Sequence, residues 1–196
     1  MRRLQPFADS VKRTTMKSAH VIPMAGRGQR FVDQGYKDPK PLIDIAGKPM
    51  IAQVLATLPT PSKRVLIAQK EHASDARFKQ TIASVAGESK VIELNEITEG
   101  QACTAEIGLR EVADETPVLF ASCDTGHMYD VSTLLRLEAD ADCDLAIFSA
   151  QNHLPALWRP QMYGWIFAGP DGWVKNVAVK KQIEGIKQHG LRSPGL

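Results

Sequence analysis

Short apolar runs alternate with amphipathic stretches along most of the chain. Runs at 19–25, 64–69, 90–94, 117–123 and 143–149 predict strands. Between them, Ile51, Val54, Leu55 and Leu58 recur at the three-and-four spacing of one helix face. So do Ala102, Ala105, Leu109 and Val112, and again Val131, Leu134 and Leu135. Strand–helix alternation with short connections predicts an α/β fold, a mostly parallel central sheet flanked by helices. Right-handed crossovers then gather the strand C-terminal ends on one edge, where ligands of open α/β sheets bind.

The pattern changes after residue 150. Gln151–Pro160 reads as a loop, and Tyr163–Ala168 with Trp173–Val179 around Gly169-Pro-Asp-Gly172 predicts a β-hairpin near the C-terminus. Residues 1–17 are polar and basic without the apolar stretch of a signal peptide, which predicts a disordered extension. Residues 183–196 have little apolar periodicity and predict a flexible tail, leaving a single domain over 18–182.

Composition narrows the partners. The chain has 196 residues, 43% hydrophobic and 23% charged, which suits one globular core. No apolar run approaches the roughly 20 residues that cross a bilayer, so no membrane partner is expected. A net charge of +2, dispersed rather than striped, speaks against nucleic acid. Cys103, Cys123 and Cys143 lack metal-ligand spacing and read as reduced, mostly buried thiols of a cytoplasmic protein.

The chemistry is concentrated in residues 22–51. An apolar strand (Val21, Ile22, Met24) runs into a glycine turn, Ala25-Gly26-Arg27-Gly28-Gln29, followed by Arg30 and by Lys40 between Pro39 and Pro41. Glycines let backbone N–H groups approach a phosphate, and two fixed cations neutralise a polyphosphate. A dinucleotide fingerprint fails because Phe31 stands where the third glycine belongs, and a Walker loop fails because Gly47-Lys48 is followed by Pro49. Asp124, closing the run 117–123, is placed either to hold Mg²⁺ at a strand end or to cap the next turn. Asp130 reads as the N-cap of the helix that starts near Val131.

Gly-x-Gly-x-Arg, then Pro39-Lys-Pro-Leu42 and Gly47-Lys-Pro-Met-Ile51, resembles the signature of the sugar-phosphate nucleotidyltransferases, with weaker matches to about residue 182. The resemblance implies a Rossmann-like, GT-A-like nucleotide-binding fold. It also implies an enzyme that joins a nucleoside triphosphate to a sugar 1-phosphate and releases pyrophosphate, with Mg²⁺ as cofactor. It assigns catalysis to Arg30 and Lys40, the metal to Asp124, and the nucleotide to Ala25, Gly26, Gly28, Gln29, Gly100 and Gln101. The amide of Gln101 suits a base edge, and equally an ordinary first helical turn. Gly164 and Lys181 fall on the sugar-phosphate side, although adjacent lysines there also fit a solvated strand end. Lys180 and Gln182 stand where relatives carry an acidic residue and a proline, and the last aspartate is Asp171. The chain thus resembles a C-terminally short member of the family, and a nucleotide-binding module without efficient turnover is the alternative reading.

Overall fold

The computed structural model describes residues 14–150, 153–179 and 191–194. It divides into two compact units, Met1–Asp140 and Ala141–Leu196, where the sequence suggested one domain over 18–182. In the first unit the chain runs through β1 (Ala19–Pro23), α1 (Gln29–Asp33), a 3-10 turn (Lys40–Leu42) and a hairpin of β2 (Asp44–Ile45) and β3 (Lys48–Pro49). It continues through α2 (Met50–Leu55), β4 (Lys63–Gln69), α3 (Lys70–Ser74) and α4 (Ala76–Ala86). After these come β5 (Lys90–Leu94), α5 (Gln101–Leu109), β6 (Val118–Phe120) and α6 (Val131–Ala139).

Strands β5, β4, β1 and β6 lie in that order in one sheet, and every pairing is parallel. Ala19 of β1 stands opposite Lys63 on one side and Val118 on the other. All of β1 is buried, as the two-sided cover of a parallel sheet requires. Ile22, Leu66 and Ala68 meet Ile51, Val54, Leu55, Phe78 and Ile82 on one face. Val21, Val65 and Ile67 cluster on the other. The chain leaves β1 toward β4 and later returns on its far side as β6. The C-terminal ends of β1 and β6 therefore frame a topological switch point, where such sheets bind ligands.

Helix α2 forms where the spacing placed it, with Met50, Ile51, Val54 and Leu55 buried. Helix α5 also forms, but it turns a different face inward. Thr104 and Gly108 are its buried residues, and Leu109 is 41% exposed. Close approach decides this, because a Cβ on Gly108 would lie 2.7 Å from both Val21 Cγ1 and Ile67 Cδ1. Branched side chains of the sheet fill the space that larger helix residues would need. In α6, Leu134 is buried and Leu135 points largely outward. Helix α4, which the apolar spacing read above does not include, buries Phe78, Ile82 and Ala86 and is capped by Asp75, whose carboxylate accepts from Phe78 N at 2.9 Å.

The second unit contains β7 (Ser149–Ala150), α7 (Leu154–Trp158), a 3-10 turn (Pro160–Met162), β8 (Gly164–Ala168), β9 (Val174–Val179) and β10 (Leu191–Pro194). The expected hairpin is β8–β9, antiparallel with Gly164 opposite Val179. Trp165 anchors this unit's core with Ala156, and its Nε1 donates to the Pro160 carbonyl at 2.9 Å. Three expectations are corrected here. Of the run 143–149 only Ser149 joins a strand among the described residues, where it and Ala150 pair with Pro194 and Ser193; Leu145 is 75% exposed. The segment expected as a tail supplies that partner, since Leu191–Pro194 pairs with β7 and β8. Helix α7 forms inside the segment read as a loop, with Pro155 in its first turn, where a missing N–H costs nothing. Among the described residues no helix is long and apolar enough to cross a membrane.

Candidate phosphate-binding site

The ladder between β1 and β4 runs past the end of β1, with Met24 N donating to Ile67 O at 2.8 Å. The side-chain amide of Gln69 then donates to the Ala25 carbonyl at 2.8 Å. Two bonds thus fix the exit of β1 before the glycines begin. Gly28 adopts a left-handed conformation, φ 62°, which suits glycine. Its carbonyl accepts from Phe31 N at 2.8 Å, which starts α1.

Lys40 is set in place from several sides. Leu42 N donates to Pro39 O at 2.8 Å, and Pro41, Leu42 and Ile43 are buried. The segment on the C-terminal side of the lysine is therefore anchored in the core, and Pro39 and Pro41 restrict the backbone around it. A Cβ on Gly28 would lie 3.1 Å from Lys40 Cβ, so the glycine leaves room for the lysine stem. Lys40 Nζ stands 5.9 Å from the centre of the Phe31 ring and forms an ion pair with Asp124 Oδ2, both side chains being partly buried.

Asp124 does not close a strand as the sequence suggested. Strand β6 stops at Phe120, and Asp124 sits in the loop that follows. Thr57 positions that loop. It accepts from His127 N at 3.4 Å and, through its carbonyl, from the Tyr129 hydroxyl at 2.8 Å. Burial disfavours the charge on Asp124, but the hydrogen bond and charge of Lys40, together with the hydroxyl groups of Ser122 and Thr125, outweigh it and hold the carboxyl below the usual value. Burial pushes the neighbouring Cys123 thiol up to about 11, which leaves it protonated and unreactive. Cys123 is the buried cysteine; Cys103 and Cys143 are partly exposed, and all three are free. Asp130 caps α6 as expected, and its bonds to Ser132 and Thr133 hold it down to about 2.

The structure therefore brings Gly28, Lys40 and Asp124 together at the switch point. Arg30 is exposed on α1, one residue before the Phe31 ring that Lys40 faces. Ala25 is buried and Gly26 exposed; a Cβ on Gly26 would meet nothing within 4 Å. Gln29 turns along its own helix and donates to Asp33 at 2.8 Å. Gly100 precedes α5 in extended conformation, its carbonyl accepting from Thr104 N at 3.1 Å, and Gln101 is exposed as the first helical residue. Gly164 opens β8 in the second unit. Lys180, Lys181 and Gln182 lie outside the described residues. Among the described residues no group of three or more His, Cys, Asp or Glu could hold a metal ion. One carboxylate oxygen of Asp124 nonetheless fits the way Mg²⁺ is bound beside phosphate, by one or two protein carboxylates with phosphate and water completing the octahedron.

Residues 20–171 match the family model of the MobA-like NTP transferase domain. The chain belongs to that family. No curated protein matches its sequence. Solved structures similar to the transferase chain include a UDP-glucose pyrophosphorylase complexed with UDP-glucose, at TM-score 0.63 and 15% identity, covering 92% of this chain and 75% of that one. A nucleoside-diphosphate-sugar pyrophosphorylase from Vibrio cholerae RC9 matches at TM-score 0.58 and 21% identity, covering 90% of this chain and 72% of that one. A CMP:2-keto-3-deoxy-manno-octonic acid synthetase complexed with CTP matches at TM-score 0.61 and 18% identity, covering 92% and 72%. The likeness shows a shared fold, and the family makes the chain a nucleotidyltransferase. Gln69 and Thr57, which support the segments that carry Gly28 and Asp124, escape the sequence reading. Neither belongs to a motif, and each acts through a contact distant in sequence.

Proposed function

We propose that the enzyme transfers a nucleotidyl group from a nucleoside triphosphate to a sugar 1-phosphate. One observation carries this reading: Lys40, seated over Gly28, meets Asp124 at the switch point of a parallel sheet. A cation and a metal-competent carboxylate then face the same place beyond a glycine turn. Gly26 adds support, since nothing in the protein crowds its Cα hydrogens and a phosphate can approach the backbone there.

In the reaction an oxygen of the sugar phosphate attacks the α-phosphorus in line. The bond from that phosphorus to the bridging oxygen breaks, and pyrophosphate departs with the electron pair. The attacking phosphate is a competent nucleophile at neutral pH, so positioning and charge neutralisation suffice. Lys40 stabilises charge on the transferred phosphate and Arg30 holds the departing pyrophosphate. Asp124 would hold Mg²⁺, which supplies further neutralisation of the phosphate oxygens. The family pattern assigns the base to Gly100 and Gln101 and the sugar phosphate to Gly164 and Lys181. Free thiols at all three cysteines fit a reducing, cytoplasmic setting.

Pyrophosphate release measured over a panel of triphosphates and sugar phosphates tests the proposal. Lys40→Ala and Arg30→Ala should each lower turnover on the order of a hundredfold, ~3 kcal/mol of barrier. Turnover within a few-fold of wild type for both variants sinks the assignment. Triphosphate binding without pyrophosphate release under any combination points to a nucleotide-binding module instead.

A further inference from the structure

We infer that the Lys40–Asp124 ion pair makes cation binding and polyphosphate binding depend on one another. The inference rests on the proposed nucleotide reading of this site and adds a rule for how it fills. Both charged side chains are partly buried, 21% and 29% exposed, and each has the other as an ion-pair partner. The lysine is anchored by the buried Pro41–Ile43 segment, fitted against Gly28 and set beside the Phe31 ring. Asp124 is positioned by a loop pinned to Thr57.

Consider each ligand alone. A divalent cation reaching Asp124 must displace the ammonium of Lys40 and then sit beside a half-buried positive charge that has lost its partner. A polyphosphate reaching Lys40 must draw it from Asp124 and then face a carboxylate without its counter-charge. Stranding one member of a partly buried pair leaves a charge without its partner in a place that water only partly reaches, which disfavours binding. When both arrive, Lys40 turns to phosphate, Asp124 turns to the cation, and the cation and phosphate neutralise each other. Every charge is again paired. The pair therefore weakens the binding of each ligand alone and favours the two together, which is positive coupling in the thermodynamic sense.

Mn²⁺ binding, followed by water-proton relaxation, tests the rule. Wild-type protein should bind Mn²⁺ alone at least tenfold more weakly than Lys40→Gln. Arg30→Gln removes a cation that is not paired with Asp124, and should bind Mn²⁺ as wild type does. In the reciprocal arm, metal-free tripolyphosphate should bind Asp124→Asn at least tenfold more tightly than wild type. Glu71→Gln, which removes an exposed carboxylate of α3 while leaving the Lys40–Asp124 pair in place, should leave that affinity unchanged. Circular dichroism of each variant confirms folding, and the two arms use different substitutions, so failure of one variant to fold leaves the other decisive. Equal Mn²⁺ affinity in wild type and Lys40→Gln overturns the inference, as does equal tightening by Arg30→Gln. If wild type binds Mn²⁺ and nucleoside triphosphate together while these differences are missing, only the coupling fails. If no combination of triphosphate and Mn²⁺ binds, the nucleotide reading fails.

Discussion

Gly28 meets two demands at a single position. Its φ of 62° belongs to the left-handed region, and a Cβ added there would lie only 3.1 Å from Lys40 Cβ. Gly28→Ala should therefore cost ~1 kcal/mol through backbone conformation alone and also push the lysine off its seat. Urea denaturation measures the first effect, and weaker affinity for triphosphate with divalent cation measures the second. At this scale the sequence was informative about residue types: glycine turn, Arg30, proline-flanked Lys40 and Asp124 all stood out in the chain. It was silent about contacts. Nothing local to Lys40 says that Asp124 will be its partner, because the return of the chain as β6 brings them together. Nor does the strand pattern show that β6 ends at Phe120 and leaves Asp124 in a loop.

Among the elements, α4 and α5 show how packing decides what periodicity alone cannot. Helix α5 presents Thr104 and Gly108 to the sheet although its larger apolar residues suggest another face. Gly108→Val should cost about 1–3 kcal/mol by overpacking against Val21 and Ile67, seen as a lower urea midpoint. Leu109→Ala, on an exposed position, should change it far less. Helix α4 reaches toward the Lys40 segment through Arg77, which holds Asp38 by two bonds of 2.5 and 3.2 Å. Phe78, Ile82 and Ala86 root that helix in the core, so the exposed ion pair ties the segment before Lys40 to a rigid support. Such a surface pair adds little to stability. Arg77→Ala should accordingly leave the unfolding midpoint nearly unchanged while weakening triphosphate affinity a few-fold, and the charge-swapped pair Arg77→Asp with Asp38→Arg should restore it.

Across the whole molecule the parallel sheet and the hairpin followed from pattern, whereas the division after Asp140 did not, because no Pro- or Gly-rich linker marks it. One buried group gives the fold a pH limit. His20 is fully buried in β1, and neither ring nitrogen has a hydrogen-bond partner among the described residues. Burial, reinforced by the charge of Arg64, holds its pKa down to about 3. The unfolded chain titrates near the ordinary 6.5, so between these values it binds the extra proton and the native state does not. Stability should therefore fall as pH drops from 6.5 toward 3, at up to ~1.4 kcal/mol per pH unit from this residue. Urea midpoints measured across that interval should show the slope, and His20→Leu should flatten it.

Strand β1 is bonded to β4 along its whole length and to β6 over its first half, with no free edge there. Its amide hydrogens can exchange with deuterated solvent only when the sheet itself comes apart. The glycine turn thus swings from a fixed post, and any motion that admits or releases substrate begins after Ala25, not within the strand.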